Sequence, residues 1–318
     1  MSSIKRRAFY LAIFGAQTFF GLCSPISTAT SNDLEAGRLV MTPAGLFPVS
    51  NIHLVPEGGR VHHTSKAVHL VDADGGIVHT APIEDTVHPT SIHQALRLPT
   101  LTYSIIPRAF NSGYVAYSYW RNTNPSPISF FSTTLTVPLF PATIDGQLLY
   151  LFNGLIPNSF DGILQPVLQF GSSPAGGGNY WAVASWYLVN SNIYFTTPKQ
   201  VDSGKVITGV MTLTNSTTSG NTTTYNWNSV FSNLPSTSLS ISTTEALTYA
   251  YEALEIYSVS GASELPRGST KMSSINIVTQ DGRHPNVNWT VVKDKVDGFE
   301  LVVVKNGSTN GEVDITYP

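Results

Sequence analysis

The chain has 318 residues, of which 42% are hydrophobic and only 12% charged, with a formal net charge of −3. Such a length holds one large β domain with additions, and so weak a charge supplies no basic field for nucleic acid. Soluble domains are usually about one quarter charged; here Ser, Thr, Asn and Gly take that place, as in secreted β proteins.

The first residues read as a secretory signal. Lys5-Arg6-Arg7 form a positive start, residues 8–22 an apolar core, and small residues come next from Ser24 to Ala29. The apolar stretch contains Gln17 and Thr18 and falls short of the roughly 20 residues that span a bilayer. The expectation is a signal peptide over 1–29 and an extracellular protein with no membrane partner once it is removed. The single cysteine, Cys23, lies inside that segment. The mature chain is then left without a thiol nucleophile, a thiolate metal site or a disulfide framework.

Residues 30–112 differ in composition from the rest of the chain. Seven of the eight histidines lie between His53 and His93. A short repeat runs through them: His53-Leu54-Val55, Gly58-Gly59, Val61-His62, then His69-Leu70-Val71, Gly75-Gly76, Val78-His79. Each copy predicts a β-hairpin turning at Gly-Gly. The region reads as a propeptide or a small N-terminal domain. No H-x-x-x-H or H-x-H spacing favours a metal, so the histidines read as polar hairpin residues that titrate near pH 6.5.

From residue 113 to 318 the pattern is all β. Strands are predicted over 114–120, 129–137, 147–152, 163–170, 180–189, 205–213, 223–231, 239–242, 248–257, 272–278, 289–292, 300–304 and 312–317. Turn signals separate them, among them Asn153-Gly154, Gly176 to Gly178 and Asn306-Gly307. Many short strands with regular turns predict an antiparallel double-sheet sandwich, concanavalin A-like in layout. Sequons at Asn215, Asn221, Asn288 and Asn306 fit secretion, and the pair at 215–223 reads as a glycosylated loop tip.

Two of these strands carry polar groups that are costly to bury. Successive side chains alternate between faces. In 163–170, Gln165, Val167 and Gln169 share one face. In 249–257, Tyr249, Tyr251, Ala253, Glu255 and Tyr257 share a face, and Glu252, Leu254 and Ile256 take the other. Glu252 and Glu255 are therefore no acid/base pair across one cleft, which disfavours a glycosidase built on them. Glu255 sits on an aromatic face where partial desolvation raises a carboxyl pKa, and a facing Gln amide is a donor for an oxyanion. The plainer reading keeps all three as outward strand residues.

In order and spacing, the motifs from 113 to 278 resemble the eqolisins, the fungal glutamic peptidases of the scytalidoglutamic peptidase family. The carrying segments are Ser112-Gly113-Tyr114-Val115-Ala116-Tyr117, Thr134-Leu135-Thr136-Val137-Pro138, Asn153-Gly154, Ile163-Leu164-Gln165, Ser185-Trp186-Tyr187, Ala250 to Glu255, and Leu265-Pro266. The resemblance implies a secreted, monomeric acid endopeptidase acting on polypeptides without metal or cofactor. It places the catalytic pair on Glu255 and Gln165. Gln169, which closes the similar Val167-Leu168-Gln169, is the alternative amide and otherwise a substrate contact. Trp186, Tyr187, Tyr251 and Tyr257 are the expected substrate-binding residues. A second expectation is a binding module that uses the same aromatic groove for glycans or peptides without chemistry.

Overall fold

The computed structural model describes residues 37–83 and 110–318; the predicted signal segment and residues 84–109 lie outside the described residues. The N-terminal part forms β1 (Leu39–Thr42), β2 (Gly45–Pro48), β3 (Ile52–Leu54), β4 (Arg60–His63), β5 (Ala67–Val71) and β6 (Ile77–Pro82). After residue 110 come β7 (Gly113–Arg121), β8 (Ile128–Thr136), β9 (Leu148–Pro157), β10 (Gly162–Ser173), β11 (Gly176–Val189), β12 (Asn192–Phe195) and β13 (Lys199–Gln200). The remaining strands are β14 (Val206–Ser219), β15 (Thr222–Phe231), β16 (Leu234–Thr243), β17 (Leu247–Tyr257), β18 (Ser269–Thr279), β19 (Thr290–Lys293), β20 (Glu300–Lys305) and β21 (Gly311–Thr316).

Two large sheets stack as a sandwich. The first runs β19-β7-β17-β9-β10-β11-β12-β3, with β13 beside β11; the second runs β20-β21-β18-β8-β14-β15-β16-β4-β5-β6. Between them lies a core that includes Leu151, Leu164, Leu168, Phe170 and Leu254 from the first sheet and Phe131, Met211, Trp227 and Ile277 from the second. The outer face of the first sheet is also covered. A second apolar cluster there joins Tyr150, Phe152, Val167, Trp186 and Tyr257 to Ala44 and Phe47 of the β1–β2 hairpin. That double cover is why all of β9, LLYLFNGLIP, is buried and reads as an apolar run interrupted only at Asn153.

The predicted sandwich and most strand positions are present. Asn153-Gly154 does not turn the chain: β9 runs through it because β17 and β10 flank it on both sides. The 215–223 segment is the end of a paired hairpin, with β14 and β15 in register out to Ser219↔Thr222, rather than an irregular loop. The two His repeats part company. The second copy is the expected hairpin, β5 with β6. In the first, β3 pairs in parallel with β12 in one sheet and β4 pairs in parallel with β16 in the other. The N-terminal segment is thus threaded into both sheets.

Candidate active site on the outer face of the first sheet

Strand parity holds in β10 and β17. Ile163, Val167, Tyr251, Ala253 and Tyr257 pack in the outer cluster, and Leu164, Leu168, Ala250, Leu254 and Ile256 in the inner one. Gln165, Gln169 and Glu255 therefore face outward, beneath the β1–β2 hairpin. Glu252 faces inward. It is wholly buried and accepts a hydrogen bond from the Thr133 hydroxyl of β8. Burial pushes its pKa well above the usual carboxylate range, the Thr133 bond opposing. It ties the sheets together and has no access to the outer face.

Glu255 is also wholly buried. The Tyr257 hydroxyl donates to its Oε1, and Oε2 has no hydrogen bond of normal geometry. Burial raises its pKa to about 8; the Tyr257 bond and the nearby Ala44 backbone N–H work against that rise. Its row is set by register: Tyr114 of β7 lies on one side and Tyr150 of β9 on the other. Tyr150 is in turn opposite Gln169. A bulge after Leu254 makes this row. Leu254 pairs with Ala116 but Glu255 with Tyr114, so one residue of β7 is skipped and the Tyr114 ring turns outward beside the carboxyl.

The two glutamines are placed differently. Gln169 is fully committed. Its Nε2 donates to Gly171 O (2.7 Å) and Gly176 O (2.9 Å), and its Oε1 accepts from Ser173 Oγ (2.9 Å). Gly177 is obligatory there, with φ of 98° and room for no Cβ, which would stand 2.4 Å from Gln169 Nε2. Gln165 is wholly buried with neither amide atom bonded among the described residues. It sits opposite Trp186 and beside Gly154, in the row of Tyr251. That is four residues, about 13 Å along a strand, from the row of Glu255.

Of the other expected contacts, Trp186, Tyr251 and Tyr257 line the outer face. Tyr187 does not. As the residue next to Trp186 it must face inward, where its hydroxyl lies 3.0 Å from His63 Nδ1. The inward turn of Tyr187 splits the aromatic set expected for a glycan groove. Tyr114, though inside one of the motif segments, and Tyr150 are not among the expected site residues. The alternation in β9 points to Tyr150, whereas only the bulge brings in Tyr114. Unbonded buried polar atoms on this face are Gln165 Nε2 and Oε1, Trp186 Nε1, and the Tyr114 and Tyr150 hydroxyls; others, such as Trp181 Nε1, Trp227 Nε1 and Glu252 Oε2, lie in the inner core. Buried polar atoms nearly always have partners, so the phenols beside Glu255 and the Gln165 amide are donors open to a polar group on this face.

The hairpin closes this surface. Thr42, Pro43, Ala44 and Gly45 make its tip, where Ala44 N–H bonds Thr42 O (2.9 Å) and Thr42 Oγ1 bonds Gly45 O (2.9 Å). Ala44 has φ of 135°, a strained value for a residue with a Cβ. Among the described residues no group of three or more His, Cys, Asp or Glu is arranged for a metal, and no helix is long and apolar enough to cross a membrane.

No protein-family model matches the chain, and a search of curated proteins finds no match. Solved structures do. One is scytalido-glutamic peptidase with a peptide-based transition state analog (14% identity, 65% of this chain and 100% of that one, TM-score 0.40). Another is SCP-B, a member of the eqolisin family of peptidases, in a complex with the tripeptide Ala-Ile-His (14% identity, 65% and 100%, TM-score 0.39). The likeness is one of fold and assigns no role to a residue.

Proposed function

We propose that this chain is a secreted acid endopeptidase of the glutamic type, held closed by its own N-terminal hairpin. The observation that carries the reading is Glu255. It is a buried carboxyl on an aromatic face, with a strained peptide turn seated over it. A surface that holds a peptide backbone against a carboxyl has the first requirement of peptide hydrolysis. The motif order from 113 to 278 adds support.

In the open form, Glu255 takes a proton from water as that water attacks the scissile carbonyl. A nearby donor stabilises the oxyanion, for which Gln165 and Gln169 are the amides implied by the motifs. Glu255 then delivers the proton to the leaving amine. The scheme calls on no metal or cofactor. The segment before residue 113 acts as a propeptide and residues 1–29 direct secretion. The four sequon asparagines, all exposed, carry glycans.

The test is digestion of casein by the full secreted chain from about pH 2.5 to 7, a range set by carboxyl and imidazole pKa values. Glu255→Gln and Glu252→Gln run beside it. Acid cleavage that Glu255→Gln abolishes and Glu252→Gln retains is the expected result. Absence of cleavage by the wild type, with the hairpin both docked and loosened by Phe47→Ala, overturns the reading.

A further inference from the structure

Neither glutamine offers an N–H at the carboxyl. Both amide protons of Gln169 are taken by Gly171 O and Gly176 O. Gln165 is free but lies in the row of Tyr251. The donors that flank Glu255 are phenols. Tyr114 and Tyr150 are its direct cross-strand neighbours, and both are almost wholly buried. The Tyr114 hydroxyl has no partner among the described residues. The Tyr150 hydroxyl makes no hydrogen bond of normal geometry; Ser173, whose own proton goes to Gln169 or Gly176, is the polar side chain beside it apart from Glu255. The third phenol, Tyr257, is spent on Glu255 itself.

We propose that the hydroxyls of Tyr114 and Tyr150, rather than a glutamine amide, are the donors that hold the carbonyl oxygen of the substrate as it becomes an oxyanion beside Glu255. The inference rests on the peptidase reading and deepens it. As water loses its proton to Glu255, the water oxygen bonds to the carbonyl carbon and the C=O electron pair moves onto oxygen. That oxygen accepts hydrogen bonds from the two phenols, which keep their protons. When the C–N bond breaks, the electron pair returns to re-form C=O, and the Glu255 proton goes to the amine nitrogen. Burial and the nearby Glu255 charge hold both phenols well above their ordinary pKa, so they are donors throughout the acid range. The bulge at Leu254/Glu255 is the structural device that aims Tyr114, in keeping with the frequency of bulges beside active sites.

The experiment uses the full chain with Tyr114→Phe, Tyr150→Phe, the double variant, Gln165→Ala and Glu255→Gln. Turnover is followed on a quenched-fluorescent peptide, and affinity is measured for a phosphinate peptide that mimics the tetrahedral intermediate. Loss of an oxyanion donor costs about 10²–10³ in kcat. Each Phe variant is expected to lose turnover on that scale and to bind the phosphinate more weakly by a similar factor, with KM little changed. The melting temperature should hold or rise, because deleting a buried hydroxyl that has no partner strands no other group. Wild-type kcat in the double variant, or losses that only track a fall in melting temperature, overturn the proposal. If Gln165→Ala alone loses turnover, the donor is the amide and the peptidase reading stands. If no cleavage depends on Glu255, that reading fails and this inference with it.

Discussion

Replacing Phe47 by Ala tests whether the β1–β2 hairpin is a removable cover. Phe47 is 6% exposed and packs in the outer cluster of the first sheet. A buried Phe removes about 150 Å² or more of apolar surface from water, which at about 25 cal/mol per Å² is about 4 kcal/mol. Measured Phe→Ala costs of about 3–5 kcal/mol agree. Phe47 is the largest apolar contact of the hairpin, with Ala44 and the partly buried Met41 beside it in the same cluster. Ala44 is small, and a backbone hydrogen bond is worth about 1 kcal/mol net. A two-stranded hairpin of this length has little stability by itself. A loss of 4 kcal/mol raises the undocked population by about 10³. Hydrogen exchange read by mass spectrometry should show faster exchange over 39–48, with β9, β10 and β17 protected as before, and acid cleavage should rise. Leu46, 57% exposed, is the control: Leu46→Ala should change neither. Unchanged exchange at 39–48 in Phe47→Ala, or loss of protection throughout the sandwich, would refute the idea of a separable cover.

The raised pKa of Glu255 makes a signed prediction. The folded state holds a proton there up to about pH 8, whereas an unfolded carboxyl releases it near pH 4.3. The stability it contributes is therefore fully present below about pH 4.3 and is lost as pH rises to about 8, at about 1.4 kcal/mol per pH unit. Melting curves of Glu255→Gln should lack that fall between pH 5 and 8; parallel profiles for variant and wild type count against it. His53 carries the opposite sign. Burial and His79 lower its pKa to about 4, the Asn192 bond opposing, so its contribution is present above pH 6.5 and is lost as pH falls to about 4. His53→Gln should abolish an acid-induced rise in exchange over β3; if the rise persists, His53 is not its source.

What the sequence reveals is whatever period two controls. Alternation alone puts Gln165 with Gln169 on one face of their strand and separates Glu255 from Glu252 on another strand; the structure then brings Gln165, Gln169 and Glu255 to the same side of one sheet. The same rule, applied to Trp186, already excludes Tyr187 from that face. Three features lie beyond it. A bulge inserts a residue without a local signature, so Tyr114 looks like any strand aromatic until its partner strand is known. The Asn153-Gly154 turn signal loses to two flanking strands, and a Cβ at Gly154 would press on the Ile163 Cδ1 at 2.9 Å. The two His repeats share local sequence, yet one makes a hairpin and the other is split between sheets, since free edges on β12 and β16 compete for β3 and β4. Non-local pairing decides all three.

Two pH effects meet at the cover, and their signs determine what must move. A base for acid hydrolysis has to be ionised near pH 4, which a carboxyl with a pKa of about 8 is not. The cause of that rise is burial, and the hairpin supplies part of the burial, so undocking returns Glu255 toward the ordinary range. Protonation of Glu255 nevertheless favours the docked form, and acid alone would tighten a hairpin that leaves by itself. The histidines oppose this. His53 in β3 is held low by burial and His79. In β4, His62 is held low by burial, His69 and Arg60, and His63 by burial and His62 against the pull of Asp161. If β3 leaves with the hairpin, one histidine proton is set against one carboxyl proton and the pH dependence nearly cancels. If β4 leaves as well, the lowered His62 and His63 add to His53 and tip the balance toward opening in acid. Acid therefore favours opening most when β3 and β4 peel from β12 and β16 together with the hairpin. Hydrogen exchange at pH 4 should then rise over 52–63 in step with 39–48. A rise confined to 39–48 would show that acid does not drive the opening through the histidines.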